Sequence, residues 1–247
     1  MHQKERIKLI EDILKKNGFV TVKFLTEELH YSTATINRDL NVMQKQKLIK
    51  RSYGGAEPVK SKAVPFIFRY NKMRPAKNKI AKKAAELICD GDIVFIDAST
   101  TSQYIGKYIT DRKNLRVITN NLSLAAFLSE YNIEVICLGG KISDPPSVIC
   151  SAETAEYAQR YHADKMFFSA AVVTSDGKIS GGGIYSLIIN MMIDNSSESY
   201  FLIDHEKVDR PCGEYRGTLS DVSGVISDFG FSDEVKNKYK TVNFIEV

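Results

Sequence analysis

Apolar residues recur at helical spacing near the start of the chain, at Ile7, Leu9, Ile10, Ile13 and Leu14, until Asn17-Gly18 stops the pattern. Thr21 is placed to cap a second short helix that buries Val22, Leu25 and Leu29. Ser32 is a natural cap for a third, in which Ile36, Leu40 and Met43 form one apolar stripe at i, i+4 and i+7. That stripe leaves Thr33, Ala34, Thr35, Asn37, Arg38 and Asn41 on the other faces. Short hydroxyls and amides beside an arginine are the groups that hydrogen-bond base edges and phosphates when a helix enters the major groove. The next segment, Leu48-Ile49-Lys50-Arg51-Ser52-Tyr53-Gly54-Gly55-Ala56, joins an apolar pair, two cations, an aromatic residue and two glycines. It predicts a β-hairpin with the glycine pair at its tip, flanked by Lys50, Arg51 and Tyr53 within reach of phosphates. Residues 1–57 therefore predict a winged helix-turn-helix that binds double-stranded DNA.

Residues 58–76 hold Pro58, Pro65 and Pro75 without sustained periodicity and predict a connector. From Lys77 the pattern alternates. A helix over 77–89 leads into the apolar run Ile93-Val94-Phe95-Ile96, and further short β-like runs follow at 115–118, 133–138, 165–173, 200–203, 224–226 and 242–247. Helical stretches at 101–108, 123–130 and 152–161 fall between them. The fold class this predicts for 77–247 is α/β, with a mainly parallel sheet covered on both faces.

Ligands of such sheets sit beyond the carboxyl ends of the strands. Asp97-Ala98-Ser99-Thr100-Thr101 follows the first strand and opens a helix, where hydroxyls and unpaired N–H groups suit an anion. Thr119-Asn120-Asn121 ends the second strand. Gly139-Gly140-Lys141 ends the third, the glycines allowing close approach and the lysine supplying charge. Each motif alone is ordinary, but three at successive strand ends predict one shared pocket.

Charge sharpens the division of labour. Residues 1–60 carry 12 Lys/Arg against 7 Asp/Glu, while the other 187 carry 22 against 23, so the whole positive excess lies in the predicted DNA-binding head. The N-terminus lacks a signal-peptide core, and no apolar run approaches the roughly 20 residues of a membrane-spanning helix. Cys89, Cys137, Cys150 and Cys212 are scattered without metal-ligand spacing. These features predict a reduced, cytoplasmic protein with no metal and no membrane partner.

Ser32, Thr35, Ile36, Arg38, Asp39 and Leu40, spaced as Ser-x-x-Thr-Ile-x-Arg-Asp-Leu and followed by Gly54-Gly55-Ala56, resemble the signature of the DeoR family of bacterial repressors. Where that family usually has a second arginine, this chain has Asn37. The resemblance continues through the Asp97–Thr101 loop, with Ser99 replacing a glycine, then Thr119-Asn120 and Gly139-Gly140. It also takes in the Asp-x-x-Lys at Asp204 to Lys207, and Lys77 ahead of Ile-Ala in the leading helix. It implies a sensor domain similar to ribose-5-phosphate isomerase that binds phosphorylated sugars or their relatives. On this reading Ser99, Thr100 and Thr101 hold the phosphate, Lys77 and Lys207 add charge, and Asp97 and Asn120 bind sugar hydroxyls. The expected protein is a repressor of carbohydrate genes acting as a dimer or tetramer. An alternative makes Asp97, Asp204 and Lys207 the acid/base groups of an active isomerase fused to a DNA-binding head. No compact acidic constellation accompanies them, and binding alone explains their presence.

Overall fold

A computed structural model describes residues 3–46, 48–52, 54–58, 66–143 and 147–247, and the chain divides into two compact units at Arg69/Tyr70. In the first unit, helix α1 (Gln3–Asn17) ends where Gly18 turns at φ +72° and its N–H reaches Leu14 O. Strand β1 (Val20–Thr21) leads into α2 (Val22–Leu29), whose cap is Thr21, accepting from Phe24 N at 3.0 Å. Helix α3 (Thr33–Lys45) is capped by Ser32. Strands β2 (Ile49–Ser52) and β3 (Gly55–Pro58) form the wing, and β3 lies between β1 and β2. Ile10, Leu14, Leu25, Ile36, Leu40 and Met43 make the core, while Ile7, Ile13, Val22 and Leu29 of the same patterns, the last two expected to be buried, are half-buried against it. Leu9, also in the pattern, is exposed.

The expected connector contains more structure than its prolines suggest. Helix α4 spans Phe66–Asn71 and α5 spans Arg74–Glu86, beginning three residues before the expected start at Lys77. Pro75 sits in the first turn of α5, where a missing N–H costs nothing, so proline marks a helix start here. Residues 59–65 of the connector lie outside the described residues.

The second unit is built on seven parallel strands: β4 (Ile93–Ile96), β5 (Arg116–Thr119), β6 (Glu134–Cys137), then, after the short antiparallel pair β7 (Ile142–Ser143) and β8 (Val148–Ile149), β9 (Ala163–Ser169). Beyond β10 (Lys178–Ser180) come β11 (Ser196–Ile203), β12 (Tyr215–Thr218), β13 (Gly224–Ser227) and β14 (Asn243–Glu246), of which β10 and β12 pair apart from the sheet. The sheet order is β14-β13-β11-β9-β4-β5-β6. The chain thus builds outward from β4 to β6, then crosses back to β9 and builds outward the other way. Between β4 and β9 the winding reverses, which is where an open α/β sheet forms its ligand crevice. Alternate residues of each strand face opposite layers. Val94, Ile96 and Phe167 pack with α5, with the 3-10 segment Ser102–Tyr108 and with α6 (Leu122–Leu128). Phe95, Phe168 and Phe201 pack with α7 (Ala152–Ala158), α8 (Gly183–Asp194) and α9 (Asp233–Lys238). No described helix is long and apolar enough to cross a membrane, and the described residues hold no cluster of His, Cys, Asp and Glu fit for a metal ion.

Candidate functional site

In the head, the apolar stripe of α3 faces the core, so Thr33, Ala34, Arg38 and Asn41 are exposed and Thr35 and Asn37 are half-buried. The Ser32 hydroxyl accepts from Thr35 N at 3.2 Å and pairs with Thr35 Oγ1 at 2.9 Å, pinning the first turn. Arg51 has partners on α3. Its Nη1 donates to Asn41 Oδ1 at 2.7 Å and its Nη2 to Asn37 Oδ1, tying the wing to α3. Lys50, one residue back along β2, is exposed. The glycine pair splits its duties. Gly54 takes the turn at φ +71°, while Gly55 lies in β3, where an added Cβ would sit 2.1 Å from Val20 O. Close backbone approach, not a turn, fixes Gly55. Tyr53 lies outside the described residues. Asp39 is fully buried and accepts from Gln3 Nε2 at 2.9 Å and from Arg6 Nη2 at 3.0 Å and Nε. Burial alone would raise its pKa, but these hydrogen bonds outweigh it and hold the carboxyl below its ordinary value.

In the second unit, two lysines converge on successive hydroxyls at the winding reversal. Lys77, on α5 and almost fully buried, donates to Thr100 Oγ1 at 3.0 Å. Lys207, after β11, donates to Thr101 Oγ1 at 3.1 Å and to Ser169 Oγ at 3.0 Å, with Asp204 Oδ2 3.5 Å away. The Thr100 and Thr101 N–H groups donate to no described residue. Dipolar and cationic donors thus surround one short loop, an arrangement that stabilises an anion. The segment that follows is a 3-10 turn, not the expected α-helix. Ser99 closes it by accepting from Ser102 N at 3.1 Å and donating to Ser102 Oγ, so its hydroxyl shapes the loop.

Acceptors lie beside these donors. Asp97 is fully buried and receives the Tyr185 hydroxyl on Oδ2 at 2.8 Å, while Oδ1 makes no hydrogen bond. Burial pushes its pKa up, opposed by the Ser102, Ser99 and Tyr185 hydroxyls. Asn120 donates through Nδ2 to Ile149 O at 3.0 Å and leaves Oδ1 unbonded, and Asp204 Oδ2 is likewise without a hydrogen bond. Three buried acceptor oxygens, at the ends of β4, β5 and β11, thus accept no hydrogen bond, that of Asp204 having the Lys207 ammonium 3.5 Å away. The neighbours of Asn120 have structural duties: Thr119 Oγ1 donates to Ile96 O and Asn121 caps α6.

The third strand end stands apart. Gly139 O accepts from Thr154 Oγ1, Lys141 N donates to Ser151 Oγ, and a Cβ on Gly140 would meet both hydroxyls. This glycine pair closes the cap of α7 two strands from β4, and the Lys141 side chain is exposed. Ser169 and Tyr185 were not foreseen. Ser169 falls inside the β-like run 165–173, and Tyr185 lies outside every element that the pattern predicts. The chain entering this unit is also held to the site. The Tyr70 ring stacks on Tyr104 with centroids 4.7 Å apart, and Tyr104 OH donates to Tyr70 O at 3.0 Å. Burial and the neighbouring Tyr70 push the Tyr104 hydroxyl up to about 12, so it remains a donor. Lys72 bonds Glu206, which also receives Arg210 Nη2 at 2.6 Å.

Residues 6–62 match the DeoR-like helix-turn-helix domain, and residues 72–229, well over half the chain, match the DeoR C terminal sensor domain. The chain belongs to the DeoR family. DeoR-type relatives include the glycerol-3-phosphate regulon repressor of Escherichia coli (strain K12), 30% identical over 231 residues that cover 92% of each chain. The HTH-type transcriptional repressor GlcR of Bacillus subtilis (strain 168) is 31% identical, covering 92% of this chain and 89% of its own. The lactose phosphotransferase system repressor of Lactococcus lactis subsp. lactis is 31% identical over 85% of each. Among solved structures, ribose 5 phosphate isomerase A from Neisseria gonorrhoeae overlays 56% of this chain and 54% of its own with a TM-score of 0.41 at 16% identity, a likeness too loose to carry an argument. As a DeoR-family member with both domains, the chain is a DNA-binding transcriptional regulator and not an enzyme.

Proposed function

We propose that this regulator is a cytoplasmic repressor of carbohydrate genes whose grip on operator DNA is set by a phosphorylated sugar or a close relative. The carrying observation is the convergence of Lys77 and Lys207 on Thr100 and Thr101, beside two loop N–H groups with no described acceptor. A phosphate placed there receives ammonium, hydroxyl and amide donors together. The unbonded oxygens of Asp97, Asn120 and Asp204 supply what a polyol offers donors to. The names of the relatives, which mention glycerol 3-phosphate and a phosphotransferase system, support the same chemistry. Gly139, Gly140 and Lys141 are left out of the seat. In the head, Ser32, Thr33, Thr35, Asn37 and Arg38 read the major groove, while Lys50 and the Gly54 turn meet phosphates. Arg51 positions Asn37 and Asn41. A dimer presents two heads to paired half-sites.

The test begins with thermal shifts of the full chain against glycerol 3-phosphate, glucose 6-phosphate and fructose 1-phosphate, since a ligand of the native state raises its stability by mass action. The strongest binder is then carried to Thr100→Glu, which sets a fixed carboxylate in the seat. The shift is expected to vanish, while affinity for a duplex selected from a random pool stays within about twofold. An undiminished shift in folded Thr100→Glu protein moves the effector elsewhere.

A further inference from the structure

The wing lays a cation against α3. Arg51, on β2, donates from Nη1 to Asn41 Oδ1 at 2.7 Å and from Nη2 to Asn37 Oδ1. Residues 37 and 41 are one helical turn apart, so a single guanidinium bridges two successive positions on one side of the helix. The backbone behind it is fixed as well: Arg51 faces Ala56 across the wing, and Ala56 also pairs with Val20 in the three-stranded sheet.

The bridge leaves the guanidinium charged and partly free. Both acceptors are neutral amides, and Arg51 forms no ion pair with any described residue. Of its five N–H groups the bridge uses two, so the Nε–H and one N–H on each Nη remain. Those donors stand beside the surface offered to DNA. Ile36, Leu40 and Met43 point into the core, Arg38 and Asn41 are exposed on the opposite side of α3, and Asn37 lies half-buried on the flank. A long side chain already restrained in this way loses less freedom on meeting a base than a loose one does.

The same bonds decide which base suits the site. An asparagine recognises adenine by using its oxygen and its amide nitrogen together. Here Asn37 Oδ1 is taken by Arg51 and its Nδ2 donates to Thr33 O at 2.9 Å, and Asn41 Oδ1 is taken likewise. The fork of donors left on Arg51 matches instead the two acceptors, O6 and N7, that guanine shows in the major groove. We infer that Arg51 is a specificity-determining residue, which enters the major groove alongside α3 and selects a guanine in each half-site. Asn37 and Asn41 then act on sequence through the arginine they hold. This goes beyond positioning the two amides, and it rests on the proposal that α3 lies in the groove.

The test uses the full chain and duplexes that it selects from a random pool. At least one guanine per half-site is expected at which 7-deazaguanine, which lacks N7, weakens binding roughly five- to a hundredfold. Arg51→Lys keeps the charge and loses the fork. It is expected to weaken the selected duplex by a similar factor and to become indifferent to 7-deazaguanine at that position. Its salt slope and its preferences elsewhere are expected to stay parental. Asn41→Ala releases one side of the guanidinium and is expected to lower the preference at that same guanine and at no other position. Arg38→Ala separates this inference from the reading beneath it. If Arg38→Ala binds as the parent does, α3 is not in the groove and both fall. If Arg38→Ala weakens binding while Arg51→Lys keeps the parental sensitivity at every guanine, the inference alone falls. A loss in Arg51→Lys that is equal for all sequences also overturns it.

Discussion

Replacing Asp39 with alanine separates a residue that touches DNA from one that builds the surface touching it. Asp39 sits one position after Arg38 in the recognition helix, yet it is fully buried and accepts three hydrogen bonds from Gln3 and Arg6. Alanine removes all three and leaves the Arg6 guanidinium, with 11% of its side chain exposed, facing a cavity. Removing one partner of a buried ion pair costs about 3–5 kcal/mol. Arg6 retains the Tyr31 ring, 4.8 Å from its Cζ, and a short route to water, so the lower end applies and about 3 kcal/mol is expected. For a head of this size, total stability is roughly 3–9 kcal/mol, so a third or more of it goes. The assay is amide exchange by mass spectrometry on the full chain. Peptides from α1 and α3 are expected to exchange roughly a hundredfold faster, with peptides from β9 and β11 unchanged. DNA binding weakens only in step with the unfolded fraction. Unchanged exchange beside lost DNA affinity would refute the argument and place Asp39 at the DNA.

Three further outcomes test the rest. Arg38→Ala is expected to cost roughly 1–3 kcal/mol of specific DNA binding at matched salt with exchange protection intact, and parental affinity would displace α3 from the groove. Lys50→Ala is expected to weaken specific and non-specific DNA alike and to reduce the salt slope by about one counterion, whereas loss confined to one sequence would make Lys50 a base reader. For Asp97, burial raises the folded pKa, so the folded chain holds that proton more tightly than the unfolded one. The associated stability is present at low pH and falls as pH climbs from the ordinary aspartate value, about 4, through the raised one. Asp97→Asn should flatten that fall in urea melts of the ligand-free chain, and an unchanged pH profile would show that Asp97 does not titrate there.

What the sequence revealed followed the range of the interactions. Thr21 and Ser32 cap helices within three residues of themselves, and the stripe of Ile36, Leu40 and Met43 repeats with the helix, so the head was legible from local pattern. Parallel strands were legible as apolar runs between helices. Helix α8 was not: after three glycines its residues are apolar on most faces, Ile184 to Ile193, so no amphipathic stripe announces it. The Arg51 bridge and the glycine roles depend on which backbone lies opposite, which periodicity does not encode. Lys207 and Thr101 are 106 residues apart, and only the family resemblance placed them in one site.

The contacts that hold Tyr70 and Lys72 have a thermodynamic consequence. Tyr104 lies just past the threonine loop and Glu206 is the neighbour of Lys207, so the first residues after the head are fastened to both walls of the lysine-threonine cluster. If the proposed effector binds at that cluster and alters DNA binding, these fastenings are the contacts through which its free energy would pass. Linkage is symmetric: a metabolite that loosens DNA by some factor must itself be loosened by DNA by that same factor. An operator occupied by this protein would then compete for an effector that loosens DNA. Under the proposed function, the concentration giving a response would depend on the population of bound operators as well as on the pocket.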